Sequence, residues 1–169
     1  MTDGYPTSMS PWVRPTLLWL LMMNLGLALG AGLYEQRIVI PNWITASEGV
    51  MQWSAETAKH DDTGRRFWVF LTTIPLTVLV LANFPAAWGA PAVVRKWWIT
   101  AALVSLVERI LTFGYFIPTM VSLVEAPNSS ESVDRAVQWA SLNDLRHGLV
   151  LAAWLCAQRA LWLLARRSA

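Results

Sequence analysis

The chain has 169 residues, of which 55% are hydrophobic and only 14% charged, with a formal net charge of +2. Ordinary soluble domains carry about 25% charged residues, so this chain lacks the polar surface to meet water on all sides. Its small, scattered charge argues against a nucleic-acid partner. The single cysteine, Cys156, excludes an internal disulfide, a Cys-x-x-Cys motif and a dithiol route to quinone reduction.

In chain order, residues 1–14 read as a polar, Pro-containing tail. Helix one is predicted from Pro15, a favoured first-turn residue, to Ile40. Its apolar run, Thr16 to Tyr34, is about 20 residues, enough for a bilayer core of roughly 30 Å. The run exceeds the roughly 7–15 residues of a signal-peptide core, so an uncleaved span is expected. Gly26, Ala28, Gly30 and Gly32 form a small-residue face suited to close contact with another helix. That helix could belong to this chain or to a second copy, which leaves homo-oligomerisation open.

Residues 42–64 form the first large connection. Ala46–Lys59 has helical character, which predicts a short helix lying on the membrane surface. His60 to Gly64 reads as a turn. Helix two is expected over Phe67–Trp88, bent by Pro75 and Pro85 as membrane helices tolerate. Helix three spans Val93–Leu123, with Pro118 bending or ending it near its far end. Asn128-Ser129-Ser130 matches the glycosylation pattern, which is common by chance. Helix four spans Val133–Leu164.

The expected fold class is therefore all-α: one integral membrane domain over residues 1–169. Its architecture is an antiparallel bundle of four transmembrane helices, with a short interfacial helix between helices one and two. Trp12, Trp19, Trp88, Trp97, Trp98 and Trp162 fall near helix ends, where tryptophan anchors to the interface. Four spans put both termini on one side, with Arg14, Arg95, Lys96, Arg166 and Arg167; Lys59, Arg65, Arg66 and Arg135 lie opposite. The basic residues of the short second loop place the termini in the cytoplasm, and the expected location is a bacterial inner membrane.

Polar residues recur at one depth. On helices rising about 1.5 Å per residue, Glu35 and Arg37 end helix one where Arg65, Arg66 and Trp68 begin helix two. Tyr115, Pro118 and Thr119 of helix three reach that level, as do Asn143, Arg146 and His147 of helix four. Charges at such depth are costly unless they pair, snorkel or face a watered cavity. Asn143, Arg146, His147 and Val150 share one helical face, as do Glu108, Thr112, Tyr115 and Thr119, and Asn24, Ala28, Ala31 and Glu35. If these faces point inward, they enclose a polar pocket of the kind helix bundles use for ligands. Glu35 with Arg146, and Glu108 with Arg109 or Asn24, could equally be structural pairs, and Arg37 and Arg66 could snorkel to headgroups. With His60 in a loop and His147 alone in helix four, no Glu-x-x-His pair of the di-iron type is present, so neither metal nor other cofactor is expected.

The segments Gly30-Ala31-Gly32-Leu33-Tyr34-Glu35-Gln36-Arg37 with Pro41, Arg65-Arg66-Phe67-Trp68, Thr112 to Thr119, and Trp139 with Asn143 and Arg146 carry a resemblance. The chain resembles a family of small four-helix integral membrane proteins that includes the anthrone-oxygenase-like proteins. The resemblance implies a four-helix membrane fold and cofactor-independent oxygenation of a ring compound through a carbanion. It implies His147 or Glu35 as base, with Arg146, Arg37, Asn143 and Tyr115 stabilising the oxyanion. Arg37, Arg66, Trp68, Glu108, Thr112, Trp139 and Asn24 complete the candidate substrate site. The expected partners are a small apolar substrate and membrane lipid. The alternatives are a terpenoid-type cyclase or isomerase, with Trp68 and Trp139 facing a cation, a binding or transport protein, and a membrane subunit.

Overall fold

A computed structural model describes residues 12–47 and 49–166. Glu48, Arg167 and nearly all of the predicted N-terminal tail lie outside the described residues. The chain is mostly helical. Four long helices, α1 (Val13–Trp43), α3 (Gly64–Trp88), α4 (Ala92–Leu123) and α5 (Ser130–Ala165), are each long and apolar enough to cross a membrane. Between α1 and α3 lie strands β1 (Ile44–Ser47) and β2 (Val50–Trp53) and the short helix α2 (Ala55–Asp61).

The packing of the long helices closes on itself: α1 touches α3 and α5, and α4 touches the same two. Their inner halves share one apolar core of Leu18, Leu21, Leu25, Leu76, Val80, Trp98 and Ala101 with the alanines of α5. Large apolar side chains on the outward faces, among them Phe70, Ile74, Val78, Ile110 and Leu145, are exposed. A surface of that character suits lipid contact rather than water.

Three of the four long helices change from α to the wider π hydrogen-bonding pattern, at Glu35–Val39, Gly64–Thr73 and Thr112–Phe116. Each π segment is followed by the same dipeptide: Ile40-Pro41, Ile74-Pro75 and Ile117-Pro118. The isoleucine N–H reaches back five residues, to the carbonyls of Glu35, Val69 and Thr112. Proline offers no N–H, and its ring crowds the carbonyl four residues before it. A wider turn just ahead relieves that crowding, but the freed carbonyl still needs a donor in an apolar setting. For Pro75 that carbonyl is Leu71's, and Asn24 Nδ2 of α1 donates to it at 3.0 Å. Pro41 thus does not end helix one, which runs on to Trp43.

The connection 44–61 differs from the expected surface helix over Ala46–Lys59. Its first part is a hairpin in register Ile44↔Trp53 to Ser47↔Val50, and only Ala55–Asp61 is helical. Gly49 turns the hairpin at φ +80, a conformation that glycine adopts without strain and that no helix contains. Ser54 then caps α2, its Oγ accepting from the Thr57 N–H at 3.3 Å. Trp43, Trp53, Ala58, Phe116, Leu123, Val133, Ala136 and Trp139 form a second core between this cap and the helix ends. Trp53 Nε1 donates to the Leu123 carbonyl at 2.9 Å, and its backbone N–H to Asn128 Oδ1 at 3.2 Å.

Trp98, expected as an interface anchor, is instead fully buried. Its Nε1 donates to Asn83 Oδ1 at 2.7 Å, and Asn83 Nδ2 donates to the carbonyls of Leu17 and Leu79. One amide therefore ties α1, α3 and α4 together. Asn83→Ala is expected to lower stability by about 1–2 kcal/mol, measured by reversible unfolding in mixed micelles.

Candidate functional site

A cavity of about 510 Å³ lies beneath the 44–61 cap. Of the twelve residues singled out from the sequence, Glu35, Trp68, Glu108, Thr112, Trp139, Arg146 and His147 line it. The long helix α5 brings Trp139, Arg146, His147 and Val150 to one side, on the shared face that its helical period dictates. From α3 come Gly64 and Arg65, Trp68 and Val69, and Thr72 and Thr73. That spacing of four residues, wider than the 3.6 of an α-helix, follows from the π turns and keeps the outer half of α3 facing the cavity.

Glu35 is buried in the cavity wall. Its Oε1 accepts from Thr63 Oγ1 at 2.6 Å and from Trp68 Nε1 at 2.9 Å. No donor among the described residues meets its Oε2. The alternative of a Glu35–Arg146 ion pair is not realised; Arg146 makes no ion pair or hydrogen bond among the described residues. Its guanidinium rests instead on two aromatic faces, 4.8 Å from the Phe116 ring centre and 5.9 Å from that of Trp68. Glu108 holds Arg109 in a two-pronged pair, at 2.6 Å from Nε and 2.7 Å from Nη2, and accepts from Thr112 Oγ1 at 2.8 Å. Of the two structural partners open to Glu108, Arg109 is the one used.

His147 is buried, and neither ring nitrogen has a hydrogen-bond partner among the described residues. Its ring sits against Gly32, where a Cβ would come within 2.8 Å of His147 Cδ2 and nearer still to Nε2. Gly26 similarly receives Trp154, 3.1 Å from where its Cβ would be, while Gly30 has nothing within 4 Å. The small-residue face of α1 is thus used, at Gly26 and Gly32, to seat α5 of the same chain.

The remaining five residues lie elsewhere. Asn24 serves the Leu71 carbonyl, and Asn143 is buried one turn from Trp139, whose carbonyl it meets at 3.3 Å. Arg37 and Arg66 are exposed. Tyr115 was expected to face inward with Glu108 and Thr112, but the π turn at Thr112–Phe116 advances the phase by one residue. Phe116 takes the inward place, with Tyr115 edge-on beside it at 5.2 Å.

Thr63, Trp43 and Phe116 belong to the site and were missed, and Arg109, read only as a possible partner of Glu108, also lines it. The threefold Ile-Pro dipeptide is the signal that could have revealed the phase change bringing in Phe116. Nothing in the local sequence points to Thr63, which reaches Glu35 from the loop before α3. Among the described residues no group of three or more His, Cys, Asp or Glu side chains could hold a metal ion. The exposed wall residues are Lys59 of α2, Gly64 and Arg65 of α3, Ile117 and Val121 of α4, and Glu125 just after it, so the cavity is open where α2, α3 and the end of α4 meet. No family model, curated protein or solved structure matches this chain.

Proposed function

We propose that the chain is an integral membrane enzyme, an antiparallel four-span bundle that acts on a small lipid-soluble ring compound inside this cavity. The observation that carries the proposal is the coexistence of Glu35, His147 and Arg146 in one aromatic-walled space. Ligand sites commonly occupy about 300–1,000 Å³ and combine apolar walls with a few converging polar groups. An opening bordered by Ile117 and Val121 would admit a ligand dissolved in the bilayer. The basic-residue bias of the loops supports cytoplasmic termini in a bacterial inner membrane.

In this reading Glu35 is the base. Thr63 and Trp68 fix one carboxylate oxygen and leave the other to take a proton from an acidic ring C–H. His147 is the second candidate for that proton. The resulting enolate oxygen lies against Arg146, which stabilises it as charge develops. For an oxygenation of the kind the family resemblance implies, dioxygen adds at the carbanion carbon. The hydroperoxide then loses water to leave a ketone, so the carbon is oxidised and dioxygen reduced, with the second oxygen atom leaving as water. A cyclase reading is less well supported, because Arg146 already lies over Trp68, one of the two rings that would face a carbocation, and its own positive charge would repel the cation.

The test is turnover of ring ketones with an activated methylene, in reconstituted full-length protein, read as dioxygen uptake and as exchange of that methylene in heavy water. Glu35→Gln is expected to slow both by about 10²–10⁴-fold. Exchange at the wild-type rate in this variant would remove Glu35 from the role of base. Absence of exchange and uptake across the wild-type panel would remove the enzyme reading.

A further inference from the structure

The cavity holds a cation with no counter-ion in contact. Glu108 is committed to Arg109 and Thr112, and Asp62 Oδ2 to Arg65 Nε at 3.0 Å. Glu35 Oε1 is committed to Thr63 and Trp68. Arg146 touches only ring faces; the carboxylates of Glu108 and Glu35 act on its guanidinium through space, without an ion pair or hydrogen bond. Leaving an arginine at such depth without an acceptor is costly, whereas a guanidinium fork matches a planar pair of oxygens closely.

We infer that the ligand's polar end is an acidic oxygen group (a carboxylate, or a phenol or enol that ionises on binding), seated on Arg146 and carried by a flat apolar ring. This inference rests on the cavity being the ligand site proposed above, and it adds the ligand's chemical class. The ring would lie against Phe116, Trp68 and Trp139. An ammonium group at the same place would face Arg146 directly and be repelled.

The experiment is equilibrium dialysis of the full-length protein in detergent with three matched probes: naphthoate, its methyl ester and naphthylmethylammonium. The wild type is expected to bind naphthoate at least about tenfold tighter than the ester and the ammonium weakest. In Arg146→Gln the preference for naphthoate should collapse while the ester keeps its affinity, which also shows that the cavity has folded. Glu35→Gln, which removes a negative charge from the same cavity wall, should bind naphthoate more tightly. Equal binding of acid and ester, preference for the ammonium, no binding of any probe, or a preference that survives in Arg146→Gln would each overturn the inference. Selective binding of naphthoate, with neither exchange nor dioxygen uptake across the ring-ketone panel, would instead overturn the enzyme reading and leave this one standing.

Discussion

Glu108→Ala is expected to be among the most destabilising single substitutions in the chain, by about 3–5 kcal/mol. Glu108 and Arg109 are both buried, with side chains 2% and 8% exposed. Removing the carboxylate strands a guanidinium that already has one buried nitrogen, Nη1, without a partner. The pair is adjacent in sequence on α4, so it joins no two helices, and its net value over an apolar pair is small. The double variant Glu108→Met/Arg109→Leu should therefore recover most of the lost stability. Unfolding in mixed micelles checks both; a single variant within about 1 kcal/mol of wild type would contradict the assignment.

Gly32→Val should be nearly as damaging, through overpacking of about 1–3 kcal/mol and displacement of His147. At Gly32 the backbone of α1 meets the His147 ring with no space for a side chain. The neighbouring Gly30, with nothing within 4 Å, should accept alanine with a slight gain in stability, since alanine favours helix over glycine by about 1 kcal/mol. Replacing His147 by alanine in the Gly32→Val background opens the space again and should restore much of the stability. The comparison separates a steric fault from a general intolerance of α1, and ligand affinity measured on the same four proteins reports whether the ring must stay in place.

The spans were legible because runs of about 20 apolar residues have few readings. Their ends were less so. Pro41 looks like a stop, yet it stands two residues past a π segment that absorbs its steric demand, and helix one continues to Trp43; α4 runs to Leu123, with Pro118 likewise two residues past its π segment. The same widening explains Tyr115: a count of three or four residues per turn is right up to Thr112 and one residue out afterwards. Ala46–Lys59 has apolar spacing that allows a helix, but Gly49 lets the chain reverse, and Trp53 then reaches α4 and the loop before α5.

In the site, the residues found were those that are expensive where they stand. Glu35, Glu108, Arg146 and His147 interrupt apolar segments, and polar groups at such positions ask for an explanation. Phe116 and Trp43 carry no such mark, because an aromatic residue in a membrane helix is unremarkable until its neighbours are known. The partner of each charge was not legible either. Glu35 could reach a cation on paper, but it takes its donors from Thr63 and Trp68, and that choice leaves Arg146 facing the cavity.

The central claim is that this cavity holds a small ring compound through Arg146. Native mass spectrometry of the protein, gently extracted from the membrane of the cells that make it, tests this most directly when released small molecules are identified. Wild-type protein should carry a ring compound bearing an acidic oxygen, and Arg146→Gln, expressed at the same level, should lose it. A small-molecule adduct unaffected by Arg146→Gln, or a co-purifying protein with no small ligand, would contradict the account.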